Sequence, residues 1–502
     1  MRTGMTIDDI LNSLGGFFTA ETLLFLLLGT TLGMVFGILP GLSGGQVLAL
    51  LLPLTFVLEP QLAIALLMGA MGAVPTGASL TAILINTPGT SSNAATMFDG
   101  HPLAKMGRAG EAIAAASFSS MLGGIFGAIV LTALLPVGQF VVLAFSYPET
   151  FMLAVLGLAM IAVLSPGSLA RALVAAALGL LVAFIGFDPV TGSTRFVFGS
   201  MDLWDGIPLV PAMIGLFAIS EAINMLSKRG AIAETKIDAS YRGTGKGIRA
   251  VFQHFGVFLE GSFIGTVIGL IPGVGGTVSN FVAYGRAAST KKNPGNFGKG
   301  DIRGVIAPEA ANNAKDGGAL IPTLFFGIPG GVETAVLLSA LMIYGIQPGP
   351  RMMLDNPQIV LQLIYALVIA NVIAAAMTIL ASPFLTRLTG IKAIYMAPVI
   401  VALSLVGAYA TEGRIFDVII AVVFGVIGYL MQRFDFSRVA FVIALILGGL
   451  METSFHQTMT VFGPAGFVSR PIALGLLLVT ILMFALPSIR KAIAKRKVTV
   501  LS

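Results

Sequence analysis

The pattern G-x-x-x-G-x-x-P-G-x-x-G occurs twice in this chain. The first copy is Gly33-Met34-Val35-Phe36-Gly37-Ile38-Leu39-Pro40-Gly41-Leu42-Ser43-Gly44, and the second is Gly265-Thr266-Val267-Ile268-Gly269-Leu270-Ile271-Pro272-Gly273-Val274-Gly275-Gly276. Pro272 minus Pro40 gives an offset of 232, and all the fixed positions keep it. Glycines one turn apart let an apolar helix approach a neighbour closely, and Pro-Gly then ends the helix inside apolar surroundings. In a membrane such a break is tolerated only where it is buried in protein or lines a wet cavity, which is how transporters build substrate sites.

Composition sets the solvent. Of 502 residues, 56% are hydrophobic and only 10% charged, against roughly 25% charged in soluble domains, and mean hydropathy is +0.95. The chain therefore reads as an all-α polytopic membrane protein with about ten to twelve transmembrane helices. Its 61 glycines and 25 prolines imply broken or re-entrant helices. Cysteine is absent and histidine is limited to His101, His254 and His456, which leaves no thiolate site and little for zinc. The net charge of +6 gathers in short loops, so it speaks of topology and not of nucleic acid. Asp8 and Asp9 precede the first apolar run without an Arg-rich region or a cleavage site, so the first span is expected to insert the protein.

In chain order, residues 17–39 make a first span, and 46–58 are too short to cross alone and read as re-entrant or half-spanning. Residues 62–85 are long enough but interrupted at Pro75-Thr76-Gly77, and they run into Asn86-Thr87-Pro88-Gly89-Thr90-Ser91-Ser92-Asn93. Spans are expected at 112–135, 150–164, 169–187 and 207–226, with a polar loop at 188–205 that holds Trp204. Residues 1–226 form a first transmembrane repeat and 227–254 a basic linker, cytoplasmic by the positive-inside rule. Residues 255–489 form the second repeat and 490–502 a basic cytoplasmic tail. The second repeat opens with a span over 255–271, and a polar loop over 291–303 and the run Pro308-Glu309-Ala310-Ala311-Asn312-Asn313-Ala314 precede an apolar stretch at 320–328. Further spans lie at 358–381, 392–410, 415–431, 437–451 and 472–487. Pro329-Gly330 parallels Pro88-Gly89 at an offset of 241, so nine residues (241 minus 232) are inserted between the paired motifs. An odd number of crossings before the linker makes the two-fold repeat inverted; a further crossing at 137–146 would reverse the parity.

The half-helices that begin near Gly44 and Gly276 aim positive dipole ends into a shared cavity, which suits carboxylates. Candidate substrate-binding residues are Pro40, Gly41, Ser43 and Gly44 at the first break and Gly273, Gly275, Gly276 and Thr277 at the second. Asn86, Thr87, Gly89, Thr90 and Ser91 in one Pro-Gly loop, Gly330 and Gly331 in the other, and Asn312 and Asn313 complete the set. These groups hold an anion without fixed positive charge and so allow release. The plainer alternative is that hydroxyls and amides bond their own backbone or a neighbouring helix, and that Pro-Gly only shapes packing. Glu309, Asp99 and Glu333 are candidates for ion coupling, with sodium as one coupling ion, because a carboxylate near membrane depth is costly unless paired or protonated. The alternative for Glu309 is a salt bridge with Lys315 or Arg303. Two other functions stay open: an ion or anion channel, and an intramembrane serine protease that uses Gly41-Leu42-Ser43-Gly44 with Ser43 as nucleophile and a later histidine.

Several longer motifs carry a resemblance: Gly37-Ile38-Leu39-Pro40-Gly41, Ala82-Ile83-Leu84-Ile85-Asn86-Thr87-Pro88-Gly89-Thr90, Phe98-Asp99-Gly100-His101-Pro102-Leu103-Ala104, Pro308 through Ala314, Gly327-Ile328-Pro329-Gly330 and Gln347-Pro348-Gly349-Pro350. Through them nearly the whole chain resembles the large membrane subunit of the tripartite tricarboxylate transporters, the TctA type. The resemblance implies a non-enzymatic secondary transporter in the bacterial inner membrane, importing citrate or another carboxylate by sodium or proton symport. It also implies a small membrane subunit of about four spans and a periplasmic binding protein that delivers the substrate, and leaves a homo-oligomer of the membrane complex open. No G-x-x-x-x-G-K-[ST] pattern is present, so ATP is not the direct energy source in this chain. Thr76-Gly77-Ala78-Ser79 departs from the family's Tyr-Gly-Gly-Ser, and Ser43 stands where Gly is common. Both departures bear on which carboxylate is carried.

Overall fold

Apolar runs punctuated by Pro and Gly give long helices in the computed structural model, which describes residues 13–39, 42–164, 168–188, 191–227, 242–289, 296–349, 352–388 and 396–484. In chain order the main helices are α1 (Ala20–Ile38), α2 (Gly44–Thr55), α3 (Pro60–Ile85), α4 (Ala94–Leu103), α5 (Ala109–Ala144), α6 (Tyr147–Leu164), α7 (Leu169–Ala183), α8 (Leu209–Ser227) and α9 (Thr244–Gln253). They continue with α10 (Phe255–Gly269), α11 (Gly275–Ala288), α12 (Arg303–Phe326), α13 (Val332–Ile343), α14 (Pro357–Leu388), α15 (Met396–Glu412), α16 (Ile415–Arg433), α17 (Arg438–Val461) and α18 (Pro471–Phe484). Among the described residues, seven helical segments are long and apolar enough to cross a membrane, or eight if α9 and α10, bent by 78°, make one span. Shorter apolar helices such as α2 and α13 accompany them. On α16 the exposed side chains Ile419, Val422, Val423 and Val426 fall at helical spacing, a stripe suited to lipid contact. The all-α, multi-pass reading holds. The linker residues 228–241 and the basic tail lie outside the described residues.

Contacts divide the chain into two compact units, residues 1–139 with 210–430 and residues 140–209 with 431–502. In the smaller unit α17 packs on α6 and α7. A short antiparallel hairpin pairs Gly186 with Arg195 and Phe187 with Thr194, and Arg195 grips Glu452 through both guanidinium nitrogens at 2.5 and 2.9 Å.

The larger unit is built on glycine-backed helix pairs. Gly29, Gly33 and Gly37 lie against the main chain of Leu66, Ala70 and Val74, so α1 and α3 run parallel, so close that a Cβ on any of the three would strike backbone. Gly261, Gly265 and Gly269 lie in the same way against Ala307, Ala311 and Lys315, so α10 and α12 are also parallel. Every glycine in this comparison is displaced by 232 and every partner by 241. The two pairs run in opposite directions, because Asn313 of α12 donates to the Gly72 carbonyl of α3 while Glu309, a turn earlier, meets Ser79, two turns later. At about 18 Å over 12 residues, α2 is too short to span the height of α1, about 28 Å over 19 residues.

Two sequence expectations give way. Pro75-Thr76-Gly77 does not interrupt the helix: α3 is continuous, with residues 63–84 all buried. The Pro75 carbonyl accepts from Asn93 Nδ2 at 3.1 Å, and Ser79 Oγ lies 3.0 Å from it. The run from Pro308 to Ala314 is not a polar prelude to a short apolar stretch but the middle of α12, in which residues 304–325 are all buried. A helix buried in protein need not meet the hydropathy that lipid demands.

Candidate functional site

The two breaks and the two Pro-Gly loops meet across the repeat. At α2, a Cβ on Gly44 would come within 2.8 Å of Glu333 Oε1, and one on Gly45 would strike Val332. At α11, the corresponding contacts are Gly276 with the Lys315 side chain and Ser92, and Thr277 Oγ1 with Ser91 Oγ at 3.0 Å. Asn280 Nδ2 donates to the Ser92 carbonyl at 2.6 Å. Each break therefore docks on the loop of the other copy. Within the second copy the Gly273 N–H also donates to the Gly330 carbonyl at 2.9 Å, and Gly273 and Gly275 have φ of 78° and 73°, values that favour glycine. Pro40 and Gly41 lie outside the described residues. The Ser43 N–H donates to Gln46 Oε1 at 2.5 Å, and Gln46 Nε2 donates to Glu221 at 2.7 Å.

The loops have two kinds of residue. Asn86 and Gly327 end α3 and α12 in the left-handed region, with φ of 53° and 69°, and the next N–H reaches back to the Thr81 or Pro322 carbonyl. This is a Schellman-type cap, so Asn86, which is exposed, and Thr87 shape the turn. Gly89 packs on Gly37 and Ala78, and Gly330 on Ala319. Thr90 Oγ1 donates to Asn93 Oδ1 at 2.7 Å, and the Gly331 N–H donates to Thr334 Oγ1 at 3.0 Å.

Glu309 is wholly buried. Its carboxylate accepts from Ser79 Oγ (2.7 Å), Ser120 Oγ (2.9 Å), Thr96 Oγ1 (2.6 Å) and Asn93 Nδ2 (3.1 Å). All four donors are neutral, and neither Lys315 nor Arg303 pairs with it: Lys315 Nζ bonds Asp316, and Arg303 bonds Asp301. The salt-bridge alternative for Glu309 therefore fails. Lys315 and Asp316 are buried on α12 beside the second break, and Glu333 is close enough to act on both electrostatically. Neither is among the candidate site residues, and the sequence offers Lys315 only as a partner for Glu309. The usable signal was the small-residue spacing Ala307, Ala311, Ala314, Gly318, which marks a packed helix through them.

Asp99 lies in a different setting. It is buried and accepts from Tyr284 Oη at 2.9 Å and from the N–H groups of Gly300 and Asp301 at 2.8 Å, which ties α4 to the loop before α12. In that loop burial pushes the Asp301 carboxyl up, but the Arg303 guanidinium more than offsets this and holds it below the usual range. Asn313 braces three helices, donating to Gly72 O at 3.2 Å and to Asn371 Oδ1 at 2.6 Å. Asn312 is fully buried, and neither of its side-chain polar atoms has a hydrogen-bond partner among the described residues. His101 Nδ1 bonds the Ile83 carbonyl at 3.0 Å, and no histidine bonds Ser43 among the described residues, so the nucleophile geometry of a serine protease is absent there.

The family model described as the tripartite tricarboxylate transporter TctA family matches residues 23–443. The chain belongs to that family. Its geometry is thus that of a TctA-family membrane subunit, a component of a tricarboxylate transporter that works in a complex with partner subunits. An uncharacterized 52.8 kDa protein from the TAR-I ttuC′ 3′ region of Agrobacterium vitis is 33% identical over 501 residues, 96% of this chain and 97% of that protein. An uncharacterized protein from the TAR-II ttuC′ 3′ region of the same organism is 32% identical over 231 residues, 45% of this chain and 96% of that protein. No solved structure matches.

Proposed function

We propose that this TctA-family chain is the substrate-translocating subunit of an importer for tricarboxylates or other small carboxylates in the bacterial inner membrane. Import is driven by a sodium or proton gradient. A periplasmic binding protein delivers the substrate, a small membrane subunit of about four spans completes the membrane complex, and the basic linker and tail are cytoplasmic.

One observation carries this reading. At the start of α2 the carboxylate of Glu333 lies against Gly44, at the positive end of the helix. At the start of α11 the corresponding place is taken by neutral Ser92, and the Lys315 side chain lies against Gly276. The second break therefore combines a helix N-terminus with an ammonium, where the first has a carboxylate, a setting that suits a substrate carboxylate. The partial ion pair of Lys315 with Asp316 moderates the attraction so that the anion can leave. The two opposed copies supply the symmetry on which alternating access rests in inverted-repeat transporters.

The test is uptake of radiolabelled carboxylates into proteoliposomes holding this chain with its small subunit, with and without the periplasmic protein, under imposed sodium or proton gradients. Gradient-driven uptake that requires the periplasmic protein is the expected result. Ion conductance without uptake of any carboxylate would overturn the reading in favour of a channel.

A further inference from the structure

One face of α12 holds more buried polar atoms than its neighbours satisfy. Glu309, Asn312, Asn313 and Asp316 fall at i, i+3, i+4 and i+7, so they share a face of the helix, and all are at most 1% exposed. The four neutral donors around Glu309 complete its shell. The next turns are different: Asn312 Oδ1, Asn313 Oδ1 and Asp316 Oδ2 are buried acceptors without a donor among the described residues. Leaving such oxygens unpaired in a low-dielectric interior is costly, and three within five residues of one helix call for a shared partner. Charge points the same way, because two carboxylates, Asp316 and Glu333, act on one ammonium, Lys315, which leaves one negative charge in excess around it.

We propose that Asn312 and Asp316, with Asn313 beside them, form a site for a hard monovalent cation of sodium size, bound through Asn312 Oδ1, Asp316 Oδ2 and Asn313 Oδ1. Amide and carboxylate oxygens are the ligands such ions take. A single uncompensated negative charge matches one positive charge. No group of three or more His, Cys, Asp or Glu converges among the described residues to hold a divalent or transition metal. The proposal rests on the transport reading and makes it specific: the cation fills the face of α12 adjoining Lys315. By drawing Asp316 toward itself, it frees the ammonium for the substrate carboxylate. Asn312 Nδ2, which also lacks a partner among the described residues, remains a donor toward that anion.

The test uses the purified full-length chain with its small subunit, melted in sodium, potassium or choline chloride at constant ionic strength, together with equilibrium binding of radioactive sodium. Wild type should melt higher in sodium than in potassium or choline. Asn312→Ala breaks no hydrogen bond of the fold and so should remain folded, while needing about tenfold or more sodium for the same stabilisation. Asn312→Asp, which keeps an oxygen at that position, should retain the sodium response. An identical sodium response in wild type and Asn312→Ala would overturn the site, as would wild type that does not distinguish sodium from potassium, the behaviour of a face filled by internal water. Proton-driven carboxylate uptake without any sodium response would remove the cation site and leave the transport reading standing. Sodium binding lost in Asn312→Ala, in a protein that takes up no carboxylate, would support the site and remove the transport reading.

Discussion

The first and second copies of the broken-helix unit have the same backbone and opposite chemistry. In both, three glycines one turn apart seat the first helix on the third, and a left-handed cap closes the third helix. Along that third helix, however, α3 presents Met68, Met71, Gly72, Val74 and Pro75 where α12 presents Glu309, Asn312, Asn313, Lys315 and Asp316. The first copy supplies neutral donors from its loop and α4, chiefly Asn93 and Thr96, to the acid of the second. The difference separates two jobs. Glycine spacing sets how closely helices approach, whereas the buried charges Glu309, Lys315 and Asp316 are concentrated on one helix, α12.

If the backbone is truly shared, damage to either glycine row should be equally severe. Gly33→Val and Gly265→Val each put a side chain into main chain and should each cost on the order of 3 kcal/mol or more, seen as loss of monodisperse protein in detergent. A copy that tolerates the change would break the equivalence. The chemistry should be unequal. The double variant Lys315→Met/Asp316→Asn, which removes the buried pair together, should fold and lose about a hundredfold in uptake, while Val74→Met at the matching place should stay within about twofold. Thr96→Val, which removes one donor to the Glu309 carboxylate, should cost about 1.5 kcal/mol by thermal melting. The smallest effect concerns the caps. Gly327→Ala should lose about 1 kcal/mol and Asn86→Gly less than about 0.5, since Asn already tolerates the left-handed conformation that Ala resists.

The sequence revealed the scaffold better than the site. The repeated glycines and Pro-Gly pairs were legible because close helix approach and helix termination leave few other residue choices, and the shift of nine between offsets falls in the connection before α12. Gly29 and Gly261 extend each row by one turn beyond the repeated pattern, and they were missed because a lone glycine in an apolar run has no signature of its own. Hydropathy failed at α12, since a helix surrounded by protein can carry Glu309, Lys315 and Asp316 where lipid would not allow them. Pro75 reads as an interruption because proline ordinarily kinks or ends a helix, and the packing that keeps α3 continuous through it, residues 63–84 all buried, is not visible in the local sequence. Asn86 and Asp99 are candidates by residue type alone; one shapes a turn and the other ties a loop, roles fixed by backbone geometry that residue type does not disclose.

If the two breaks form the substrate site, Gly44→Val and Gly276→Val should each block it. Their added side chains would displace Glu333 and Lys315, flexible groups, rather than backbone, so both proteins should insert and fold. Carboxylate uptake in proteoliposomes should then be abolished in both. Wild-type uptake by both variants would place the substrate path elsewhere.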